Sequence, residues 1–242
     1  MGTTVTPYNT SKSKATQVEE MFDSIAPKYD FLNRTLSLGI DVLWRKKAIK
    51  LLAKNNPKII LDVATGTADL ALEAISINPQ KIIGIDISEG MLELGRKKIL
   101  AKNLQSIITL QKADSENLPF AEHAFDATMV AFGVRNFEHL PKGLSEIYRT
   151  LKPGGTLMVL EFSKPENFPI KQLYSFYFKN ILPLIGKLVS KDNAAYNYLP
   201  DSVEAFPHGK NFITILENVG FKNVKQTKLT FGVASIYLAV KP

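Results

Sequence analysis

The chain contains no cysteine among its 242 residues. It therefore forms no disulfide, has no thiolate nucleophile and offers no cysteine ligand to zinc. No run of 18 apolar residues occurs, so no segment has the composition of a transmembrane helix. The first twenty residues are polar and lack the apolar stretch of a signal peptide. We therefore expect a cytoplasmic protein.

Glycine is scarce where many nucleotide-binding loops need it. The segment Ala64-Thr65-Gly66-Thr67-Ala68 has one glycine, whereas a dinucleotide loop has three to admit a pyrophosphate. The Gly-Lys-Ser/Thr sequence of a P-loop is also absent. Both absences argue against a ligand bound mainly through phosphates.

Hydrophobic residues make up 45% of the chain, which is enough to cover the core of one α/β domain of this length. The formal net charge of +7 and the isoelectric point near 9.3 permit an anionic partner, either nucleic acid or a lipid headgroup surface. Because the basic residues are scattered along the chain, a solvated basic surface is favoured over a nucleic-acid site.

Two short apolar runs, residues 59–63 and 82–86, carry acids at or near their ends. Their β-branched and leucine content predicts buried strands, and the helical spacing of the residues between them predicts a parallel strand-helix-strand unit. Ligands of such sheets bind beyond the carboxyl ends of the strands. Asp62 and Asp86 are therefore expected to face one crevice. Two carboxylates there suit a positively charged nucleoside, whose ribose hydroxyls would donate hydrogen bonds to Asp86.

Two further strands are predicted, near residues 107–110 and 125–131. The first leads to Asp114 and Ser115, where a carboxylate is placed to accept from an adenine amino group. The second runs into Phe132-Gly133-Val134-Arg135-Asn136.

With these motifs the chain resembles the class I methyltransferases that use S-adenosylmethionine, and among them the quinone C-methyltransferases of the menaquinone and ubiquinone pathways. The similarity runs from about Val18 to the C-terminus. Its most specific parts are Tyr29-Asp30-Phe31-Leu32-Asn33 with Ser37 and Trp44, Phe132-Gly133-Val134-Arg135-Asn136, and Arg149-Thr150-Leu151-Lys152-Pro153-Gly154-Gly155 leading to Leu160-Glu161-Phe162-Ser163-Lys164-Pro165. The resemblance implies a Rossmann-like α/β fold with a mostly parallel seven-stranded sheet flanked by helices.

The chain departs from the family's usual pattern at several positions. The family usually has methionine, histidine and valine where this chain has Leu32, Asp41 and Thr150, and more glycine at positions 64, 65 and 68. The missing histidine argues against a proton-transfer role at position 41. The missing glycines bear on the backbone geometry of the loop after the first strand.

We expect a flexible segment over residues 1–17 and a single methyltransferase domain over residues 18–242. Residues 18–54 have the apolar spacing of helices and are expected to cap the crevice. Residues 166–207 form an insertion after strand five that is unusually apolar and aromatic. In one interpretation it forms the wall of a pocket for a prenylated substrate and contacts the membrane, with Lys171, Lys179, Lys187 and Lys191 at lipid headgroups. In the other it packs in the core or against a second subunit.

The resemblance implies S-adenosyl-L-methionine as the cofactor and requires no metal. The residues expected to bind the cofactor are Asp62, Gly66, Thr67, Asp86, Asp114 and Ser115. Asp62 would receive the methionine ammonium, with loop capping as its alternative role. The substrate side is expected to include Tyr29, Asp30 and Asn33, with helix capping as the alternative for Asp30 and Asn33.

Arg135 and Asn136 are the expected catalytic residues, because they follow strand four directly. An arginine is a poor proton acceptor, so Arg135 is interpreted as stabilising a phenolate or positioning a water, with a structural salt bridge as its alternative. Asn136 would orient the phenolate or a water.

The reaction implied is methyl transfer to a ring carbon of demethylmenaquinol, a polyprenylated quinol, with transient contact at the inner face of the cell membrane. The alternative acceptor is the 2-polyprenyl-6-methoxy-1,4-benzoquinol intermediate of ubiquinone synthesis. An RNA N-methyltransferase and a non-catalytic cofactor-binding protein are alternatives of other classes. Base-flipping N-methyltransferases commonly carry an Asp/Asn-Pro-Pro-aromatic loop after strand four, which this chain lacks, so we expect no nucleic-acid partner.

Overall fold

The computed structural model describes residues 5–8, 10–37, 39–177, 180 and 193–242, without the side chains of residues 32, 33, 35, 36 and 193–197. Residues 178, 179 and 181–192 of the predicted insertion, with Lys179, Lys187 and Lys191 among them, lie outside the described residues. Among the described helices, none is long and apolar enough to span a bilayer.

The described residues form one sheet in the order β3-β2-β1-β4-β5-β7-β6. Its strands are β1 (Ile59–Val63), β2 (Lys81–Asp86), β3 (Ile108–Lys112), β4 (Phe125–Ala131), β5 (Leu151–Phe162), β6 (Lys222–Leu229) and β7 (Ala234–Val240). Strands β1 to β5 are parallel to their neighbours, whereas β7 pairs antiparallel with both β5 and β6. The strand order reverses between β1 and β4, so the crevice between their carboxyl ends is where a ligand is expected.

The helices follow the predicted pattern closely. They are α1 (Lys14–Ile25), α2 (Tyr29–Leu36), α3 (Ile40–Leu52), α4 (Asp69–Ala74), α5 (Glu89–Ala101), α6 (Leu140–Thr150), α7 (Ile170–Phe176), α8 (Asn193–Ala205) and α9 (Lys210–Val219). Helix α1 begins four residues before the predicted cap, because the Ser13 side chain accepts a hydrogen bond from the Thr16 N–H and caps the helix there. The first turn of α1 thus belongs to the segment expected to be flexible.

The sheet is buried on both faces. Leu61, Val63 and Val130 belong to one apolar cluster, and Ile60 and Met129 belong to the other. Because side chains alternate along a strand, the two clusters cover opposite faces of the sheet. The central strands are therefore mostly apolar, with Thr128 as a buried polar residue in the middle of β4. The acids Asp62 and Asp86 fall at or near the carboxyl ends of β1 and β2.

Ion pairs attach the helical cap to the cofactor side of the sheet. The ammonium of Lys98 on α5 lies 2.6 Å from Asp30 Oδ2 on α2 and 2.7 Å from Asp69 Oδ1 on α4. On α3, Arg45 lies 2.7 Å from Asp41 and 3.4 Å from Asp69. Asp41, where the family usually has histidine, is thus a buried partner of Arg45, and the helices of the cap are tied together through α4.

The loop after β1 adopts the backbone that glycine favours although it carries alanine. Ala64 has φ +55° and Ala68 has φ +66°, while Phe132 at the end of β4 has φ +56°. The left-handed region costs a non-glycine residue roughly 1–2 kcal/mol. Tertiary packing therefore imposes the loop geometry in the absence of the expected glycines.

Strands β1 and β4 approach so closely at the switch point that Gly133 has no room for a side chain. A Cβ at Gly133 would lie 2.6 Å from Ala64 Cβ and 3.1 Å from Val130 Cγ1. We expect Gly133→Ala to destabilise the protein by about 1–3 kcal/mol through overpacking. Chemical denaturation would measure this change.

The double variant Gly133→Ala with Ala64→Gly tests the cause of that loss. It removes the nearer clashing methyl and places glycine at a positive φ, so most of the lost stability should return. A double variant as unstable as Gly133→Ala alone would show that the contact with Ala64 is not responsible.

Candidate active site

A crevice opens at the carboxyl ends of β1, β2 and β4, with an empty volume of about 700 Å³ that includes the solvent at its mouth. Helix α1 covers one side of it with Ala15, Val18 and Phe22. The other lining residues come from the start of α2, from α5, from the strand ends and from the loops after β1 to β4: Tyr29, Ala64, Gly66, Ile85, Asp86, Ile87, Met91, Ala113, Asp114, Ser115, Glu116, Ala131, Phe132, Gly133, Asn136, Phe137 and Glu138.

Asp86 lines the crevice at the end of β2. Its Oδ2 accepts from the Gly66 N–H at 2.8 Å, and its Oδ1 accepts from the Ser88 N–H at 2.9 Å. These bonds hold the carboxylate still, and burial raises its pKa to about 6 despite them. A carboxylate oxygen accepts more than one hydrogen bond, so Asp86 can still receive two ribose hydroxyls.

Asp62 lies behind the lining rather than in it. It is 1% exposed, and its Oδ2 accepts from the Thr65 hydroxyl at 2.6 Å. Its Oδ1 has no hydrogen-bond partner among the described residues. Burial and, to a smaller extent, the negative charge of Asp86 raise the pKa of Asp62 to about 7. A buried carboxylate with one unpartnered oxygen is suited to a cation or to a water that bridges to one.

The two loop residues between these acids differ in how they meet the crevice. Gly66 lines it at φ +56°, and a Cβ there would come no closer than 4.0 Å to the Tyr29 ring. The hydroxyl of Thr67 donates to Asp30 Oδ1 at 2.7 Å and accepts from Lys98 Nζ at 2.8 Å. Because its hydroxyl hydrogen is used within the protein, a contact of Thr67 with the cofactor would use its backbone.

The loop after β3 brings Asp114 and Ser115 to the crevice, as predicted. Asp114 Oδ1 accepts from the Glu116 N–H at 2.8 Å, which sets the turn and leaves the carboxylate exposed at the lining. Glu116 was not predicted from the sequence as a site residue. It is 7% exposed and accepts a hydrogen bond from the His139 N–H at 2.5 Å. Glu116 thereby connects the loop after β3 to the start of α6.

The three predicted substrate residues lie on or beside α2 in different settings. Tyr29 lines the crevice, with its ring edge-on to Phe22 at 6.0 Å between centroids. The carboxylate of Asp30 is bound to Thr67 and Lys98, which are the contacts of a residue that ties the cap to the cofactor loop. The backbone of Asn33 is helical, but its side chain lies outside the described ones.

Arg135 occupies a short 3-10 turn, Val134–Asn136, that directly follows β4. Its Nη1 donates to the Phe132 carbonyl and lies 3.0 Å from Glu161 Oε1, and its guanidinium sits 5.5 Å from the centre of the Phe162 ring. Glu161 is fully buried, and burial raises its pKa while Arg135 opposes that rise. Arg135 thus lies beside the lining in a buried ion pair, and its Nε has no partner among the described residues.

Asn136, the second predicted catalytic residue, reaches the crevice itself. Its Oδ1 lies 3.1 Å from the Tyr198 hydroxyl on α8. The ammonium of Lys14, at the start of α1, donates at 3.0 Å to the carbonyls of both Arg135 and Phe137. Lys14 and Tyr198 have no local motif that would have revealed them, because they lie more than 60 residues from Asn136 in the chain.

The model of the ubiE/COQ5 methyltransferase family matches residues 10–241. The chain belongs to this family. A demethylmenaquinone methyltransferase of Bacteroides fragilis is 50% identical over 98% of this chain and 97% of its own length. A ubiquinone/menaquinone biosynthesis C-methyltransferase UbiE of Geotalea daltonii is 48% identical over 94% of this chain and 97% of its own length.

A solved structure of an S-adenosyl-L-methionine-dependent methyltransferase from Methanococcus maripaludis shares the fold. It has a TM-score of 0.64 and 18% identity, covering 97% of this chain and 96% of that one. The family and the fold together confirm the predicted class: this chain is a methyltransferase whose cofactor is S-adenosyl-L-methionine.

The residues present fit that cofactor. The unpartnered Oδ1 of Asp62 meets the need of an ammonium for an anionic acceptor, and the Asp86 carboxylate is positioned for a ribose. The absence of a side chain on Gly66 keeps the space beside Tyr29 open. These three features lie in or beside the crevice that Phe132, Gly133 and Asn136 also line.

Donor affinity should depend on pH through Asp62. Because its pKa is raised to about 7, Asp62 is protonated below that pH and a carboxylate above it, and only the carboxylate attracts an ammonium. If only the carboxylate form binds, affinity should fall about eightfold from about pH 7.5 to about pH 6. Titration calorimetry near pH 7, in buffers of different ionisation enthalpy, should show release of about half a proton.

Asp62→Asn is the matched control, because it keeps the size and the bond to Thr65. The variant should bind the donor more weakly and lose the proton release near pH 7, leaving only the dependence from Asp86 at lower pH. An unchanged pH profile in Asp62→Asn would remove Asp62 from the binding site.

Proposed function

We propose that this chain transfers the methyl group of S-adenosyl-L-methionine to a ring carbon of demethylmenaquinol, giving menaquinol. The acceptor is the reduced quinol, because loss of a hydroxyl proton makes its ring carbon nucleophilic. The main support is the similarity of nearly the whole chain to a demethylmenaquinone methyltransferase. In the same chain, one crevice is lined both by the acids Asp86 and Asp114 and by residues of the Phe132–Asn136 turn.

The cofactor supplies an electrophilic methyl group when it is bound. The chain's own residues then have three tasks: to hold the donor, to orient the quinol and to exclude water. Asp62, Asp86 and Asp114 serve the first. Asn136 would donate a hydrogen bond to the quinol oxygen, and the positive charge of Arg135 beside it would lower the cost of the phenolate.

The other side of the crevice suits an aromatic acceptor. Phe132 lies 4.6 Å from Phe162 and 6.1 Å from Trp44 between ring centroids, and Phe132 itself lines the crevice. The indole N–H of Trp44 donates to the Thr230 hydroxyl at 2.8 Å, which holds this group of rings in place. Phe132 would therefore present a fixed aromatic ring to the quinol, with Trp44 and Phe162 packed around it.

The methoxy-benzoquinol intermediate of ubiquinone synthesis is the second candidate acceptor, because the Geotalea daltonii relative carries both pathways in its name. The test incubates the protein with methyl-labelled donor and either chemically reduced demethylmenaquinone, the reduced benzoquinone intermediate or total RNA. We expect label in the naphthoquinol product. Label only in the benzoquinol would transfer the assignment to the second candidate, and label only in RNA, or in none of them, would overturn both.

We also propose that the enzyme meets the bilayer through one exposed apolar surface. The large apolar side chains that define this surface are Leu43, Phe168, Leu173, Phe176 and Phe231. The backbone segments that carry three of them lie close together. Trp44, next to Leu43 in the chain, bonds to Thr230, next to Phe231, and Gly232 lies near Pro165, three residues before Phe168. A prenylated quinol resides in the membrane, so an apolar docking surface near the aromatic walls would serve its delivery.

The turn that presents Phe231 is strained. Thr230, Phe231 and Gly232 have φ values of +43°, +57° and +96°, and the Phe231 ring is 79% exposed. Positive φ is costly for a β-branched or aromatic residue. Exposed Lys46, Lys47 and Lys50 on α3 supply positive charge for anionic headgroups on the same side as Leu43.

Phe231→Ser should reduce the fraction of protein that sediments with vesicles of phosphatidylethanolamine and phosphatidylglycerol, because it removes the exposed ring in the turn between β6 and β7. Leu100→Ser is the control: Leu100 is 61% exposed but lies at the end of α5, away from this surface. Equal losses in both variants would contradict the proposal. Lost self-association in Phe231→Ser with unchanged vesicle binding would identify a second subunit as the occupant instead.

The role of Arg135 is tested with its partner. Arg135→Ala leaves the fully buried Glu161 without its cation, so we expect a loss of about 3–5 kcal/mol of stability together with a loss of turnover. Arg135→Ala with Glu161→Gln removes both charges, and stability measured by denaturation should largely return. Turnover of the double variant should stay low if Arg135 stabilises the phenolate. Recovered turnover would show that Arg135 serves only as the structural partner of Glu161.

A further inference from the structure

We propose that Tyr198 is a positioning residue for the methyl transfer: it holds the side-chain amide of Asn136 so that an N–H faces the acceptor. The proposal rests on the proposed function, in which Asn136 contacts the quinol. Tyr198 itself does not line the crevice, and it would act only through Asn136.

The position of Tyr198 brings three parts of the fold together. Its side chain is 4% exposed and packs with Val18 and Met21 of α1, while its hydroxyl lies 3.1 Å from Asn136 Oδ1. Tyr198 is on α8, within the insertion after β5. The cap and the insertion therefore meet over the turn that carries Asn136, and the insertion contributes to the active site from inside the protein.

The partners of Asn136 determine which way its amide points. The Phe132 carbonyl can only accept a hydrogen bond, and Asn136 Nδ2 faces it at 3.5 Å. The oxygen of the amide therefore faces Tyr198, whose hydroxyl donates to it. An amide nitrogen has two hydrogens, so one remains for the crevice after the long contact with Phe132. A flipped amide would present an acceptor there, which cannot stabilise a phenolate.

The protonation state of Tyr198 suits this task. Burial raises its pKa to about 12, so the hydroxyl keeps its hydrogen across the working pH range. The backbone around Asn136 is already held by Lys14, which binds the carbonyls on both sides of it. Rotation of the Asn136 side chain is then limited by the Tyr198 hydroxyl at 3.1 Å and, through a longer contact, by the Phe132 carbonyl at 3.5 Å.

A packing role alone would not require the hydroxyl. Burying a hydroxyl is unfavourable unless it is hydrogen-bonded, and phenylalanine would fill the same space against α1 without that requirement. The contact with Asn136 gives the buried hydroxyl its function.

A double-mutant cycle in turnover tests the proposal. Tyr198→Phe should lower kcat about fivefold to tenfold, the scale of one lost hydrogen bond, with little change in KM for the donor. In the Asn136→Ala background the same change should lower kcat no further. Independent, multiplicative losses would mean that Tyr198 does not act through Asn136, and an unchanged kcat in Tyr198→Phe would end the proposal.

Tyr237→Phe is the control for stability. Tyr237 is fully buried and its hydroxyl accepts from the Gly209 N–H at 2.8 Å and from Gln226 Nε2 at 3.3 Å, so this variant loses buried hydrogen bonds away from Asn136. We expect it to lower the Tm with kcat unchanged. A fall in kcat equal to that of Tyr198→Phe would attribute both losses to stability and overturn the positioning role.

A measurement without turnover separates this proposal from the proposed function. In a nitrogen-15 spectrum, the side-chain amide pair of Asn136 is identified by its absence in Asn136→Ala. That pair should shift or broaden in Tyr198→Phe and stay in place in Tyr237→Phe. Unchanged Asn136 signals in Tyr198→Phe would refute the contact, whereas a wild-type protein that methylates no quinol would refute only the proposed function.

Discussion

The reversal of strand order between β1 and β4 is the constraint on which this structure depends. It leaves a crevice at the carboxyl ends of strands that are buried on both faces, and it is at those ends that the strands bring charged and amide groups to a ligand. Asp62, Asp86 and the Arg135–Asn136 turn all lie at such ends. The same crowding leaves no room for a side chain on Gly133 and holds Ala64 at a positive φ.

Burial makes the charges in this crevice costly, and the structure handles that cost differently on its two sides. On the donor side the pKa values of Asp62 and Asp86 are raised, because only neutral donors accompany them. On the acceptor side burial also raises the pKa of Glu161, but its partner Arg135 opposes that rise. The donor side thus gains from binding a cation, whereas the acceptor side already has its cation in place.

The cap and the insertion, which the sequence presents as two separate additions, are both attached to the segment around Arg135 and Asn136. Lys14 of α1 binds its carbonyls, and Tyr198 of α8 binds its amide. A second set of ion pairs through Lys98 and Arg45 attaches the rest of the cap to the cofactor loop. Positioning at both ends of the crevice therefore depends on elements outside the central sheet.

The sequence by itself determined the strands, the crevice and the acids in it. Strands β1 and β4 fall where the apolar runs predict, and Asp86, Asp114 and Ser115 reach the crevice, because local hydrophobic patterns set where buried strands end. Tertiary structure alone decided that Arg135 is bound to Glu161, that the Thr67 hydroxyl is used by Asp30 and Lys98, and that Lys14 and Tyr198 meet at Asn136. These contacts join residues far apart in the chain, so no local pattern specifies them; they form only when the helices pack on the sheet.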